Sequence, residues 1–417
     1  MTPICYDSAI DPQLDIVLLV LGSLLVVGAL LSALAERSFL SLTALFVLVG
    51  FAIGPGGFNL VEFPVDSLFV ADLAIITLVV ILFRDGLEID AQAIRRGWRL
   101  PLRKLLIAMP LTCLFVALAA KGLFSELSWL EAFLIGALLA PTDPVLTSSI
   151  VGNRRVPEKI RNSLSLESGL NDGLALPVIL ALTVALGANA SSGEDFVLWK
   201  FILQDIGFGV IYGLGLGLLG GLLLSIPDKE LPTHLKALFG LGFGLFAYSL
   251  AHIGPHGNGL IAVFVCAIVL GIRRPDLREA VVQQTDDVAE ILKLGVFVVF
   301  GSLLTLSGLF SEGIIMTGLF IAACFLIARP LAILIALTGT RGVDLPTKLF
   351  IGWFGPKGIA TMAFGLIVLS SGISAGERIF EIAGVVVFFS ILIHGTTDTV
   401  GARWIVSRSK TRESAKP

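Results

Sequence analysis

The chain has 417 residues, of which 56% are hydrophobic and only 15% charged, where a soluble domain averages about 25% charged residues. That balance excludes an ordinary soluble globule. Apolar runs of about 18 residues or more recur along the whole length, which marks a polytopic, all-α membrane protein. The net charge of −3 says little about partners, because the placement of charge matters more here.

Taken in chain order, the apolar periodicity predicts about 13 transmembrane helices. They run roughly over 14–35, 39–58, 67–87, 102–122, 130–152, 162–187, 196–226, 235–253, 257–272, 288–308, 312–338, 347–371 and 379–404. The eighth and ninth are separated only by "IGPHGNG". The opening "MTPICYDSAIDPQLD" lacks the basic residues of a cleaved signal peptide. The tail after Trp404 is polar and too short for a soluble regulatory domain, so residues 1–417 read as one integral membrane transporter domain. Cys5, Cys113, Cys266 and Cys324 lack metal-ligand spacing, so neither a zinc site nor a disulfide framework is expected.

The connections fix an orientation. Segments after odd-numbered spans, such as "RRGWRLPLRK", "GNRRVPEKIRN" and "RRPDLRE", hold 22 of the 29 Lys and Arg residues. Positive charge favours the cytoplasmic side, so the N-terminus is expected outside and the C-terminus inside. Thirteen spans divide as six, one and six, and the two six-helix halves would be inverted repeats, a hallmark of secondary transporters. The fifth span, "LLAPTDPVLTSS", and the twelfth, "GWFGPKGIATMA", occupy equivalent places and both are broken by proline. Proline frees backbone carbonyls near mid-membrane, and two such discontinuous helices point to a midplane binding site.

Ionisable residues inside spans are costly and usually functional. Asp143, Glu167, Asp172, Arg329 and Lys357 all lie well inside predicted spans. Ser168 and Asp172 are four apart and share a helix face, as do Glu167 and Asn171. Asp172 follows Glu167 by five residues, about 140° around the helix, so the two acids should not form one dyad. Asp172 and Ser168 are expected to face a water-accessible ion site. Glu167 is expected to be held by a buried cation, with Arg329 preferred for its permanent charge and bidentate grip. Lys357, at the second break, would compensate the half-helix dipoles. Aspartate, hydroxyl and carbonyl oxygens suit a hard cation such as Na⁺. Desolvation favours the protonated form of a carboxylate, so one aspartate can hold either a proton or a sodium ion. That competition, with alternating access, suffices for antiport.

At these residues the sequence resembles the cation–proton antiporter superfamily, specifically its NhaP/NHE-type sodium/proton exchangers. The matching segments are "APTDPVLTSSIVG", "LESGLNDG", "ARPL" and "GWFGPKG", in order and on the predicted spans. The resemblance implies the NhaA/NhaP-like antiporter fold and a homodimer. Interface helices would be those of about 14–87 and 235–308, core helices those of about 102–187 and 312–404, with 196–226 linking them. It implies an elevator-like movement of the core. Matched by position, Asp172 is the ion- and proton-binding aspartate, Thr142, Asp143 and Ser168 contribute oxygens, and Asn171 bonds the unwound segment of the fifth span. Asn171 before Asp172 resembles the electroneutral branch, which implies one Na⁺ for one H⁺. Lys357 departs from the arginine usual in "G-x-R-G".

Other features carry weaker expectations. Gly209, Gly213, Gly217 and Gly221 form a small-residue stripe suited to close helix packing, inside one protomer or between subunits. "FRDGLEID" reads as an interfacial cap, with a pH-response role as the alternative, and His234, His252, His256 and His394 are scattered, mostly near loops. The competing functions are K⁺/H⁺ exchange with the same ligand types and a Na⁺-coupled solute symporter. There is no H-E-x-x-H, P-loop or G-x-S-x-G, so an enzyme is not expected. No cofactor and no nucleic acid is expected; the partners are monovalent cations, protons and the lipid of a prokaryotic plasma membrane.

Overall fold

A computed structural model describes residues 42–63, 68–89, 99–143, 150, 155–187, 198–226, 231–254, 257–340 and 343–414, with a few positions between 19 and 26. Most of the first predicted span, Cys5, Pro144 and His256 lie outside the described residues, as does the side chain of Ser168. Every regular element described is helical. The helices are α1 (Leu42–Ile53), α2 (Leu68–Glu88), α3 (Arg99–Arg103, the π-helical stretch Lys104–Ala108 and Met109–Leu123), α4 (Trp129–Leu138) and α5 (Glu158–Ala185). They continue as α6 (Leu198–Phe201, the π-helical Ile202–Phe208 and Gly209–Leu223), α7 (Thr233–Ile253), α8 (Gly259–Arg273), α9 (Pro275–Leu303) and α10 (Leu306–Leu309). The last are α11 (Ile314–Ala322, the π-helical Ala323–Ala328 and Arg329–Ala336), α12 (Leu345–Trp353), α13 (Ile359–Ser370) and α14 (Gly376–Ser414).

Among the described residues, five stretches are long and apolar enough to cross a membrane: Leu100–Leu123, Ile202–Leu223, Thr233–Ile253, Ile314–Ala336 and Gly376–Arg408. The fifth and twelfth predicted spans fall short of that length because each is broken. The eighth and ninth predicted spans are separate helices. Asn258, from the short "IGPHGNG" connection, caps α8 by accepting from Leu260 N–H at 3.1 Å and Ile261 N–H at 3.2 Å.

Two boundaries move. The tenth predicted span, α9, begins at Pro275, not near 288, so "RRPDLRE" is largely helix rather than loop. Pro275 suits a first helical turn, and the polar turns that follow escape a hydropathy reading. Likewise α14 runs on through the polar tail to Ser414.

The glycine stripe packs inside the protomer. A Cβ at Gly213 would meet Val265 at 2.6 Å, and one at Gly217 would meet Val269 at 2.6 Å, both on α8. Another side of α6 is left with exposed Ile211, Leu214, Leu218 and Leu222. A large apolar cluster joins α2, α4, α8, α9, α13 and α14. A second joins α3, α5, α11, α12 and α14 through Leu100, Leu164, Ile333, Phe350 and Ile405. The charged residues of the candidate site lie among these helices.

Candidate functional site

Each broken span starts with a well-made half-helix. Ser128 and Glu131 form a capping box at the start of α4, and Asp344 caps α12 through Thr347 N–H. Both halves then stop short, α4 at Leu138 and α12 at Trp353, and irregular backbone follows. Proline at 141 and 356 cannot continue either ladder.

The two breaks satisfy each other. The Asp143 N–H donates to Pro356 O at 2.9 Å, and the Asp143 carboxylate accepts from Ile359 N–H at 2.9 Å. In return, the Lys357 ammonium donates to Pro141 O at 3.1 Å and Ala140 O at 3.4 Å. A carboxylate thus caps the positive N-terminus of α13, and an ammonium caps the negative C-terminal end of α4. Two glycines permit this closeness. A Cβ on Gly358 would lie 2.1 Å from Asp143 Oδ2, and one on Gly355 would lie 1.7 Å from Arg329 Nε.

α14 supports the second break from behind. Lys357 N–H donates to Ser390 Oγ at 2.8 Å, and His394 Nε2 lies 2.9 Å from Trp353 O, where the carbonyl can only accept. His394 is therefore a buried strut of the break and not a loop residue. In sequence its signal was its place one turn after Ser390, within the long apolar run of the last span.

α5 lies against the first break. Asn171 Nδ2 donates to Thr142 O at 2.8 Å and to Thr142 Oγ1 at 3.2 Å. The neighbouring residue, Asp172, is buried, and the charged side chains acting on it are two acids, Asp85 and Asp143. Asp85 sits on α2, half-buried. Sequence reasoning placed it in an interfacial cap, and the cap proper is the Arg84–Glu88 pair at 3.5 Å. The missed signal was a carboxylate inside the helical repeat, before the helix ends at Glu88.

Five residues earlier on α5 the environment reverses. Glu167 Oε1 accepts from Arg329 Nη2 at 3.1 Å, and Glu167 Oε2 is paired with Lys104 Nζ. All three are almost fully buried. Lys104 ends the basic segment "RRGWRLPLRK", and the span predicted over 102–122 takes it in only as its flank. It is instead inside α3, with no solvent exposure. Hydropathy alone could not find it, because "RLPLRK" precedes the apolar run and reads as its cytoplasmic flank.

Known proteins resemble this chain at both levels. The model of the family described as "Sodium/hydrogen exchanger, transmembrane" matches residues 22–402. The "K(+)/H(+) antiporter NhaP2" of Shewanella sp. (strain MR-4) is 29% identical over 390 residues, covering 92% of this chain and 66% of the relative. The "K(+)/H(+) antiporter NhaP" of Alkalimonas amylolytica is 27% identical over 402 residues, covering 94% and 67%. The chain therefore spans about two thirds of the length of these curated relatives, slightly less in the Shewanella case. In fold, the sodium proton antiporter MjNhaP1 of Methanocaldococcus jannaschii matches with a TM-score of 0.78 at 21% identity, over 94% of this chain and 99% of the other.

Proposed function

Because the chain belongs to the transmembrane sodium/hydrogen exchanger family and is of NhaP type, we propose that it is a cation/proton antiporter whose transported ion and proton compete for Asp172. One observation carries this reading. Asp172 is a buried carboxylate beside a helix break, and both charged groups acting on it, Asp85 and Asp143, are acidic. A buried carboxylate with acidic neighbours is suited to take up either a proton or a metal ion. Thr142, Asp143 and Ser168 are the further oxygen donors on the two spans concerned. One carboxylate oxygen of Asp143 is already engaged by Ile359 N–H, so its share is the remaining oxygen or its carbonyl.

The finer reading is one Na⁺ for one H⁺, since Asn171 occupies the place beside Asp172 and spends its amide on Thr142. It includes thirteen spans with the N-terminus outside, two inverted repeats, an elevator movement of the core against interface helices, and a homodimer in a plasma membrane. The paired features of the two halves support the repeats: α3 and α11 each carry a π-helical stretch, and the fifth and twelfth spans each break at proline. Exchange of K⁺ is the second reading, favoured by the Shewanella and Alkalimonas relatives, which are named K(+)/H(+) antiporters.

The test is pH change driven by ion gradients in proteoliposomes of purified protein, using Na⁺, Li⁺ and K⁺ with and without an imposed potential. Proton movement driven by Na⁺ or Li⁺ and indifferent to potential is the expected result. A response to K⁺ alone selects the second reading, and no response to any of the three ions overturns antiport.

A further inference from the structure

In an unbroken helix the N–H of residue 357 would donate to the carbonyl of residue 353, four positions back. The second break separates that pair, since Trp353 ends α12 and Lys357 lies in the irregular backbone after it. Both groups are held instead by α14, from two positions that are themselves one turn apart. Lys357 N–H donates to Ser390 Oγ at 2.8 Å, and His394 Nε2 lies 2.9 Å from Trp353 O. Trp353 O has a second lone pair, which takes Gly355 N–H at 2.8 Å.

The donors and acceptors close a circuit. A carbonyl only accepts, so His394 carries a proton on Nε2 and donates it to Trp353 O. Its Nδ1 stands 3.2 Å from Ser390 Oγ and 2.9 Å from Ser390 O. With one proton on the ring, Nδ1 is a lone pair, which the Ser390 hydroxyl can fill and the Ser390 carbonyl cannot. The hydroxyl, its hydrogen turned to Nδ1, keeps an oxygen lone pair for Lys357 N–H. Lys357 N–H, Ser390, His394 and Trp353 O thus form one chain of hydrogen bonds across the break, in place of the single bond the helix lost. Two aromatic neighbours fix the imidazole: Phe325, perpendicular to it with centroids 5.5 Å apart, and Trp353 at 5.6 Å. Ser390 and His394 are both buried, where a polar side chain is costly unless it is bonded. Packing alone would be served by apolar side chains.

The unwound segment held in this way is the one that meets the first break. Pro356 O accepts Asp143 N–H at 2.9 Å, Ile359 N–H donates to the Asp143 carboxylate at 2.9 Å, and Lys357 Nζ donates to Pro141 O at 3.1 Å. A shift of residues 354–358 is therefore a shift of Asp143 and of the backbone beside Thr142. We propose that Ser390 and His394 are positioning residues for ion exchange. They carry across the break the hydrogen bonding that the helix lost, and through Pro356 and Ile359 they seat Asp143 at the ion site. This rests on the reading of that site given above.

The experiment compares wild type, His394→Leu, His394→Gln and Ser390→Ala as full chains in proteoliposomes. It records the ion concentration at half-maximal exchange beside the melting temperature in detergent. Leucine fills the volume of the ring without a donor, and half-saturation is expected to rise roughly three- to tenfold, the worth of one hydrogen bond. Glutamine places an amide N–H where Nε2 stands and is expected to restore the wild-type value. Ser390→Ala is expected to move half-saturation the same way, and combining it with His394→Leu to add little, because the two belong to one chain. Fully additive effects overturn that chain. A purely structural role would lower the melting temperature and leave half-saturation of the folded protein unmoved, and that result overturns the proposal. So does a folded His394→Gln protein that behaves as the leucine variant does. Should His394→Leu not fold, His394→Asn is read in its place, since its shorter amide falls short of Trp353 O. Failure of both to fold assigns the ring to stability alone and overturns the proposal too. Wild type without exchange of Na⁺, Li⁺ or K⁺ defeats the antiport reading and this inference together, whereas wild-type exchange with unmoved variants defeats only the inference.

Discussion

Glu167 and Asp172 stand on one helix, five residues apart, in opposite electrostatic settings. Two cations from α3 and α11 close on Glu167, while the charges acting on Asp172 are both acids. The first arrangement is a closed knot that holds three helices. The second is an incomplete site. Two carboxylates on one helix thus stand in different surroundings, and neighbours from other helices make the difference.

The comparison breaks most decisively at Asp172. Asp172→Asn removes the exchangeable charge and is expected to abolish ion-driven proton movement in proteoliposomes while leaving a folded protein. Surviving exchange would sink the assignment. Glu167→Ala attacks the other end and strands Lys104 and Arg329 without their shared anion. It is expected to cost about 3–5 kcal/mol and to show as loss of monodisperse protein after extraction. A variant as stable as wild type would mean that the knot holds nothing.

Gly358→Ala sharpens the contrast from the acidic side. Its Cβ would drive into the Asp143 carboxylate, which must shift from Ile359 N–H. A loss of roughly 1–3 kcal/mol is expected, together with slower exchange, measured by thermal melting and transport on one preparation.

The smallest effect lies outside both poles. Asp344, before α12, is pushed down to about 2 by the Thr347 side chain first and by Arg408 at 3.0 Å. Its folded pKa lies below its unfolded one, so its stabilisation is full above roughly pH 4 and is lost as pH falls toward about 2. Asp344→Ala is expected to cost about 1 kcal/mol at neutral pH with transport unchanged, as read by melting temperature at several pH values.

Much of this was legible in sequence. Span after span could be read because hydrocarbon demands long apolar runs, and the two breaks because proline within such a run interrupts the ladder. The separation of Glu167 from Asp172 followed from helical periodicity. Less legible were residues whose role depends on a neighbour far along the chain. Lys104 looked like a loop cation because it flanks an apolar run. Asp85 looked like a cap because it stands one turn before the helix end, and His394 looked incidental because nothing nearby in sequence called for an imidazole.

What the sequence determined by itself is the helical class, the place of the breaks and the charges in the middle of the apolar runs, since each follows from local rules of hydrophobic length, backbone donors and helix period. Tertiary structure alone decided which charge meets which. It gave Glu167 two cations, put Asp143 on the N-terminus of one half-helix and Lys357 on the C-terminal end of another, and set Asp85 and Asp143 around Asp172. Electrostatic interaction depends on distance in space, and residues more than 160 positions apart, such as Glu167 and Arg329, are brought together by helix packing that no local pattern encodes.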